Sequence, residues 1–99
     1  MLIVRGSVVA RPDSFDELLQ VCLEHVRRSR AEQGCISHEV SVDAENPLRL
    51  VFFERWSDEA ALKAHFAVPA SRTMWKRLHE LAADPQGMQI YSASEIKLA

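Results

Sequence analysis

Three side chains in the segment Leu48–Phe66, LRLVFFERWSDEAALKAHF, could do chemistry together: Glu54, Trp56 and His65. Alternate residues of a strand share a face, so Glu54 lies with Leu50, Phe52 and Trp56 on an apolar surface. A carboxylate there must be ion-paired, hydrogen-bonded or protonated. It reads either as a general base shielded from water or as one half of a buried pair. His25 falls on the same helical stripe as Leu18, Cys22 and Ser29. If that helix covers the Glu54 face, its imidazole approaches the carboxylate; otherwise it is a histidine satisfied within the core.

His65 closes a short helix ahead of Pro69, where a positive charge would complement the helix dipole. His38 belongs to the inward set of its strand beside the Glu54 strand, where cross-strand neighbours sit about 5 Å apart. It can join a pocket or a subunit seam. His79, four residues after Trp75, is expected at the surface. Phe52, Trp56, Phe66, Trp75 and Tyr91 supply flat apolar walls, as core or as the lining for a planar ligand.

The chain has no nucleophile elbow, no P-loop and no GxGxxG, and its serines have no defined base partner. No nucleotide or flavin cofactor is therefore expected. What remains is proton transfer assisted by the substrate's own electronics, or the reaction of a stabilised carbanion. The four histidines with Cys22 and Cys35 follow neither zinc-finger nor HExxH spacing, so no metal is expected and both thiols read as reduced.

The elements that must hold these groups follow from periodicity. Leu2–Ala10 is a β-branched strand stopped by Pro12. Asp13 or Ser14 can cap the next helix, which carries Phe15, Leu18, Leu19, Cys22 and Val26 on one face and runs to about Glu32, with Gly34 as its left-handed end. Cys35–Val42 alternates, the turn 43–47 follows, and Leu48–Trp56 completes a hairpin. Ser57 caps a short helix that breaks at Val68, and a second helical segment spans Ala70–Ala83. The turn 84–87 leads into a last strand, Met88–Ile96.

The order β-α-β-β-α-β predicts an α+β, ferredoxin-like fold: a four-stranded antiparallel sheet with helices on one face. The other face carries Ile3, Val9, Val51 and Phe53 among Arg5, Arg49 and Arg55. An apolar face of that kind needs a cover, and a homodimer with two sheets packed face to face supplies it.

Ninety-nine residues suit a single domain over 1–99, burying roughly two-thirds of its unfolded surface and leaving little room for a deep closed cavity. Lys and Arg total 12 against 14 Asp and Glu, interspersed, which argues against nucleic acid or an anionic membrane as partner. Arg27, Arg28 and Arg30 read as a solvated helix face. The N-terminus lacks a signal-peptide pattern and no segment nears the ~20 apolar residues of a membrane span. A cytoplasmic protein is expected.

Two segments then carry a family resemblance. AEQGCISHEV followed by LVFFERWSDEAALKAHF resembles the antibiotic biosynthesis monooxygenase (ABM) family of dimeric α+β barrel proteins. The family pattern is E-P-G-C-x-x-Y/F-E at the second strand, then aromatic–E–x–W–x–D/S–x–x–A–L–x–x–H. The likeness covers roughly residues 2 to 94 and implies a dimeric barrel whose Glu54, Trp56 and His65 match the family run. His25 falls where an isomerase branch has a helix histidine. His38 replaces the usual Tyr or Phe, Gln33 replaces Pro, and Phe52 stands where a polyketide monooxygenase has Asn. The first strand lacks the Asn of haem degraders, which argues against haem.

The resemblance implies a cofactor-independent monooxygenase acting with O2 on a small aromatic, quinol-like or enolisable substrate. Glu54, His25 and His65 would form the acid–base set, and Trp56, Phe52, Phe66, His38 and Trp75 would bind the substrate. Two other readings stand beside it: an isomerase or tautomerase using the same groups, and a non-catalytic ligand-binding module.

Overall fold

Val4, Val8 and Ala10 recur at even spacing in strand β1 (Leu2–Ala10), and all three are buried, as a pleated strand with one covered face requires. Helix α1 (Phe15–Ser29) answers with a buried stripe of Leu18, Cys22, His25, Val26 and Ser29. It ends at Ser29, short of the expected Glu32. The Ser29 hydroxyl donates to the His25 carbonyl at 2.6 Å, and residues 31 and 32 close tight turns onto the Arg28 and Ser29 carbonyls. Ser14 sits at the start of the helix but does not cap it through its side chain; its hydroxyl donates to the Leu81 carbonyl at 2.7 Å.

This computed structural model describes residues 1–99. Strands β2 (Cys35–Asp43) and β3 (Asn46–Trp56) form the hairpin. The expected turn over residues 43–47 is shorter, because Asp43 pairs directly with Asn46. The Asp43 carboxylate accepts from the Glu45 amide at 2.9 Å and from Arg49 at 3.0 Å. That backbone bond, and Arg49 after it, hold its carboxyl below the usual range.

Helix α2 (Glu59–Ala67) is capped by Asp58, not by Ser57: the Asp58 carboxylate accepts from the Ala61 amide at 2.8 Å. Val68 is extended, as the residue before a proline must be, and α3 (Pro69–Leu81) starts on Pro69. Strand β4 (Ala82–Ser92) begins at once. The segment 84–87, expected as a turn, lies inside β4 as an irregularity, with register shifts opposite Ser7/Val8 and Val9/Ala10 and Gly87 at φ 82°. A bulge at an edge strand accommodates Pro85, whose missing N–H would break a central ladder.

The sheet order is β2-β3-β1-β4, antiparallel throughout. All three helices lie on one face, which is the ferredoxin-like α+β arrangement. The main core joins Val8, Leu18, Leu50, Phe52 and Leu78; a smaller one joins Val4, Trp56 and Leu62. The opposite face bears Phe53, 40 % exposed, and Tyr91, 52 % exposed. No helix is long and apolar enough to cross a membrane.

Candidate active site

Strand β3 places Glu54 and Trp56 side by side on the helix-covered face, and the indole Nε1–H donates to Glu54 Oε1 at 2.9 Å. Glu54 is 8 % exposed and Trp56 fully buried. The antiparallel register sets His38 of β2 directly opposite Glu54, with His38 Nε2 3.2 Å from Glu54 Oε1. Both nitrogens of His38 are nevertheless buried without a properly directed hydrogen bond.

Helix α2 delivers His65 from above. Its ring lies 4.6 Å from that of Trp56, centroid to centroid, and its Nε2 is 4.0 Å from Glu54 Oε1. His65 Nδ1 meets Glu32 Oε1 at 2.8 Å. A carboxylate can only accept, so Nδ1 carries the proton and Nε2 faces Glu54 with its lone pair when the ring is neutral. Gly34, at φ 83°, makes this approach possible: a Cβ there would lie 2.4 Å from the Ala61 methyl and 2.7 Å from Ser57 Oγ.

His25 of α1 completes a set of three imidazoles, its ring 5.2 Å from His38 and 5.1 Å from His65. Arg28 donates to His25 Nδ1 at 2.7 Å, which puts the proton of the neutral ring on Nε2. Burial first, then unfavourable charge interactions with His38, His65 and Arg28, push the His25 imidazole down to about 3. His25 is therefore neutral at physiological pH. Arg28 departs from the solvated-face expectation: it is half-buried against His25, while Arg27 and Arg30 are exposed. Arg30 still reaches back to donate to the His38 carbonyl at 3.0 Å.

A cavity of about 110 Å³ opens beside this cluster. Its walls include His25, Glu54, Phe52 and Trp75 of the expected site, with Met74, Leu78 and Met88 as apolar lining and Gly6 and Ser7 at the sheet. His38, His65, Trp56 and Phe66 are not part of its wall. The two histidines stand behind Glu54, and Trp56 is a donor to the carboxylate inside the smaller core, not an open ligand wall. Phe66 packs on Trp75 with ring centroids 5.2 Å apart. His79, exposed as expected, lies at the cavity rim and bonds the Trp75 carbonyl through Nδ1 at 2.8 Å.

The sequence pointed to neither Glu32 nor the cavity residues from β1 and β4, and it placed Arg28 on a solvated face, although Glu32 and Arg28 fix two imidazole tautomers. Met74 and Leu78 carried a helical-spacing signal, but as core. Glu32 carried none beyond its place at a helix end.

Known proteins share this architecture. Residues 1–77 match the family model described as antibiotic biosynthesis monooxygenase. An uncharacterized protein of Synechocystis sp. is 31 % identical over 94 residues, covering 95 % of this chain and 64 % of its own length. YcnE of Bacillus subtilis (strain 168), a candidate monooxygenase by name, is 29 % identical over 65 residues, 66 % of this chain and 68 % of its own. This chain thus spans less than two-thirds of the Synechocystis relative. Among solved structures, an antibiotic biosynthesis monooxygenase candidate from Deinococcus radiodurans superposes with a TM-score of 0.93 at 26 % identity, covering 100 % of this chain and 98 % of that one. A Mycobacterium tuberculosis protein superposes with a TM-score of 0.88 at 25 % identity, covering 96 % of each chain.

Proposed function

The chain belongs to the antibiotic biosynthesis monooxygenase family, and from that premise we propose that it is a cofactor-independent monooxygenase of a small aromatic or enolisable substrate. The observation that carries the reading is Glu54: a carboxylate at the wall of an apolar cavity, held by the Trp56 indole and flanked by the neutral imidazole of His25. Glu54 accepts the acidic C–H or O–H proton of the substrate. His25, whose Nε2–H is free to donate, stabilises the enolate or phenolate oxygen.

The substrate anion passes an electron to O2, the radical pair combines to a peroxide, and its O–O bond breaks as a proton returns. For a methylene flanked by two aromatic rings, the methylene compound and one O2 give the corresponding ketone and one water. All four electrons taken up by O2 come from the substrate, so no external reductant enters. Ligand pockets usually measure about 300 to 1,000 Å³. A cavity near 110 Å³ therefore favours one enclosed ring, with any remainder lying past the exposed rim at His79 and Met88.

The test is oxygen uptake with hydroquinones, naphthohydroquinones and anthrones in metal-free buffer. One O2 consumed per product, lost in Glu54→Gln, supports the reading. Equal product under strict anoxia transfers the same acid–base groups to an isomerase. No turnover on any such substrate, with ligand binding retained, leaves a binding module.

The open sheet face supports a further part of the reading: two copies pack sheet to sheet through Phe53, Val51 and Tyr91, beside Arg5. Arg49 and Arg55 are already engaged within the subunit, by Asp43 at 3.0 Å and by Ser37 at 2.9 Å. The free thiols of Cys22 and Cys35 accord with a cytoplasmic setting.

A further inference from the structure

We propose that His38, His65 and Glu54 bind one divalent transition-metal ion of borderline softness, of the class zinc, cobalt or iron(II). The site shares Glu54 with the proposed base, so an ion bound there withdraws that carboxylate from proton transfer, and it is read in the absence of substrate.

The first ground is His38. It is fully buried; Nδ1 has no hydrogen-bond partner, and Nε2 meets only Glu54 Oε1, at 3.2 Å and poorly directed. Buried polar atoms are nearly always satisfied, so an imidazole held this loosely has room for a further partner. The second is distance. His38 Nε2 is 3.2 Å and His65 Nε2 is 4.0 Å from the same carboxylate oxygen, and the donor atoms of His25, His38 and His65 all lie within 4.8 Å of one another. Metal–ligand bonds of roughly 2.0–2.2 Å in a tetrahedron place ligands about 3.3 Å apart. The His38–Glu54 edge is already close to that length, and the His65–Glu54 edge must shorten from 4.0 Å on binding.

The third ground is the tautomer of His65. Its Nδ1–H bonds Glu32 at 2.8 Å, leaving Nε2 as a lone pair aimed at Glu54. A carboxylate behind a histidine is the arrangement that orients imidazoles on metals.

His25 is the exception. Arg28 holds its Nδ1, its proton is on Nε2, and it presents no lone pair until Arg28 lets go. The core set is therefore two histidines and one carboxylate, a donor set that leaves coordination positions open. One side of Glu54 reaches the cavity, which gives the ion an entry path.

The experiment uses the purified chain, stripped with chelator and dialysed at neutral pH, titrated with Co2+ and Zn2+. The proposal expects one equivalent per chain, visible Co2+ d–d absorption bleached by Zn2+, and 15N shifts at the His38 and His65 imidazoles. His38→Gln and His65→Gln are expected to weaken binding a hundredfold or more, and Glu32→Gln by about ten- to a hundredfold. His79→Gln, at the surface and away from the three ligands, leaves metal affinity unchanged. Affinity unchanged in both inner variants, binding only at His79, or no stoichiometric binding overturns the proposal. Should a variant not fold, the wild-type 15N shifts decide alone. Oxygen uptake and metal binding have separate readouts, so failure of one leaves the other standing.

Discussion

Acid should destabilise this fold through His25, and the size follows from the site. The imidazole falls from 6.5 to about 3 on folding, mainly because it is buried and next through charge interactions with His38, His65 and Arg28. The sign follows from linkage. Between those two values the unfolded chain binds a proton at His25 that the folded chain refuses, so stability is complete above about 6.5 and is lost as pH falls toward 3.

At about pH 4.5 the unfolded form has gained about 2.5 kcal/mol relative to pH 7, from ~1.36 kcal/mol per unit of difference. Relaxation and water entry make this an upper value. The control is His25→Gln, which keeps an acceptor for Arg28 and removes the titration. Urea unfolding of both proteins at both pH values, with chelator and at one fixed protein concentration, yields a double difference that cancels the groups remote from His25. The expected excess loss in the wild type is about 1.5 to 2.5 kcal/mol. An excess below about 0.5 kcal/mol, the noise of such extrapolations, would refute the claim that burial keeps His25 neutral.

Trp56→Phe deletes the indole donor to Glu54 while keeping an aromatic ring. It should cost about 1–3 kcal/mol in thermal or urea unfolding, the penalty of a buried acceptor losing its partner. Gly34→Ala combines a left-handed backbone with a Cβ placed 2.4 Å from Ala61, so calorimetry should register a loss above about 1 kcal/mol. A Tm within one degree of wild type would show that α2 can move away from the strand entry. Phe53→Asp on the open face should convert dimer to monomer by light scattering, with the far-UV spectrum of the fold retained; an unchanged mass would remove that face from the interface.

How much was legible in the chain depends on how local the cause was. The period of two in LRLVFFERW put Glu54 on the face of Phe52 and Trp56, and the 3.6 period put His25 in line with Leu18 and Cys22; both hold because side-chain direction within one element is fixed by its backbone. Element boundaries were less secure where short-range chemistry competes. Asp58 took the cap expected of Ser57, Asp43 shortened the hairpin loop, and a bulge absorbed a proline–glycine segment that reads as a turn.

What the residue order determined by itself was the element order, the covered and open sheet faces, and the membership of Glu54, Trp56 and His65 in one family pattern. The tertiary structure alone decided that His25, His38 and His65 converge, that Glu32 and Arg28 fix two of their tautomers, and that the cavity meets Glu54 and His25 but not Trp56. Spacing rules such as HExxH report ligands carried on one element. These three histidines come from a helix, an edge strand and a second helix, brought together by strand register and by the close seat of α2 over Gly34, and no local periodicity encodes either.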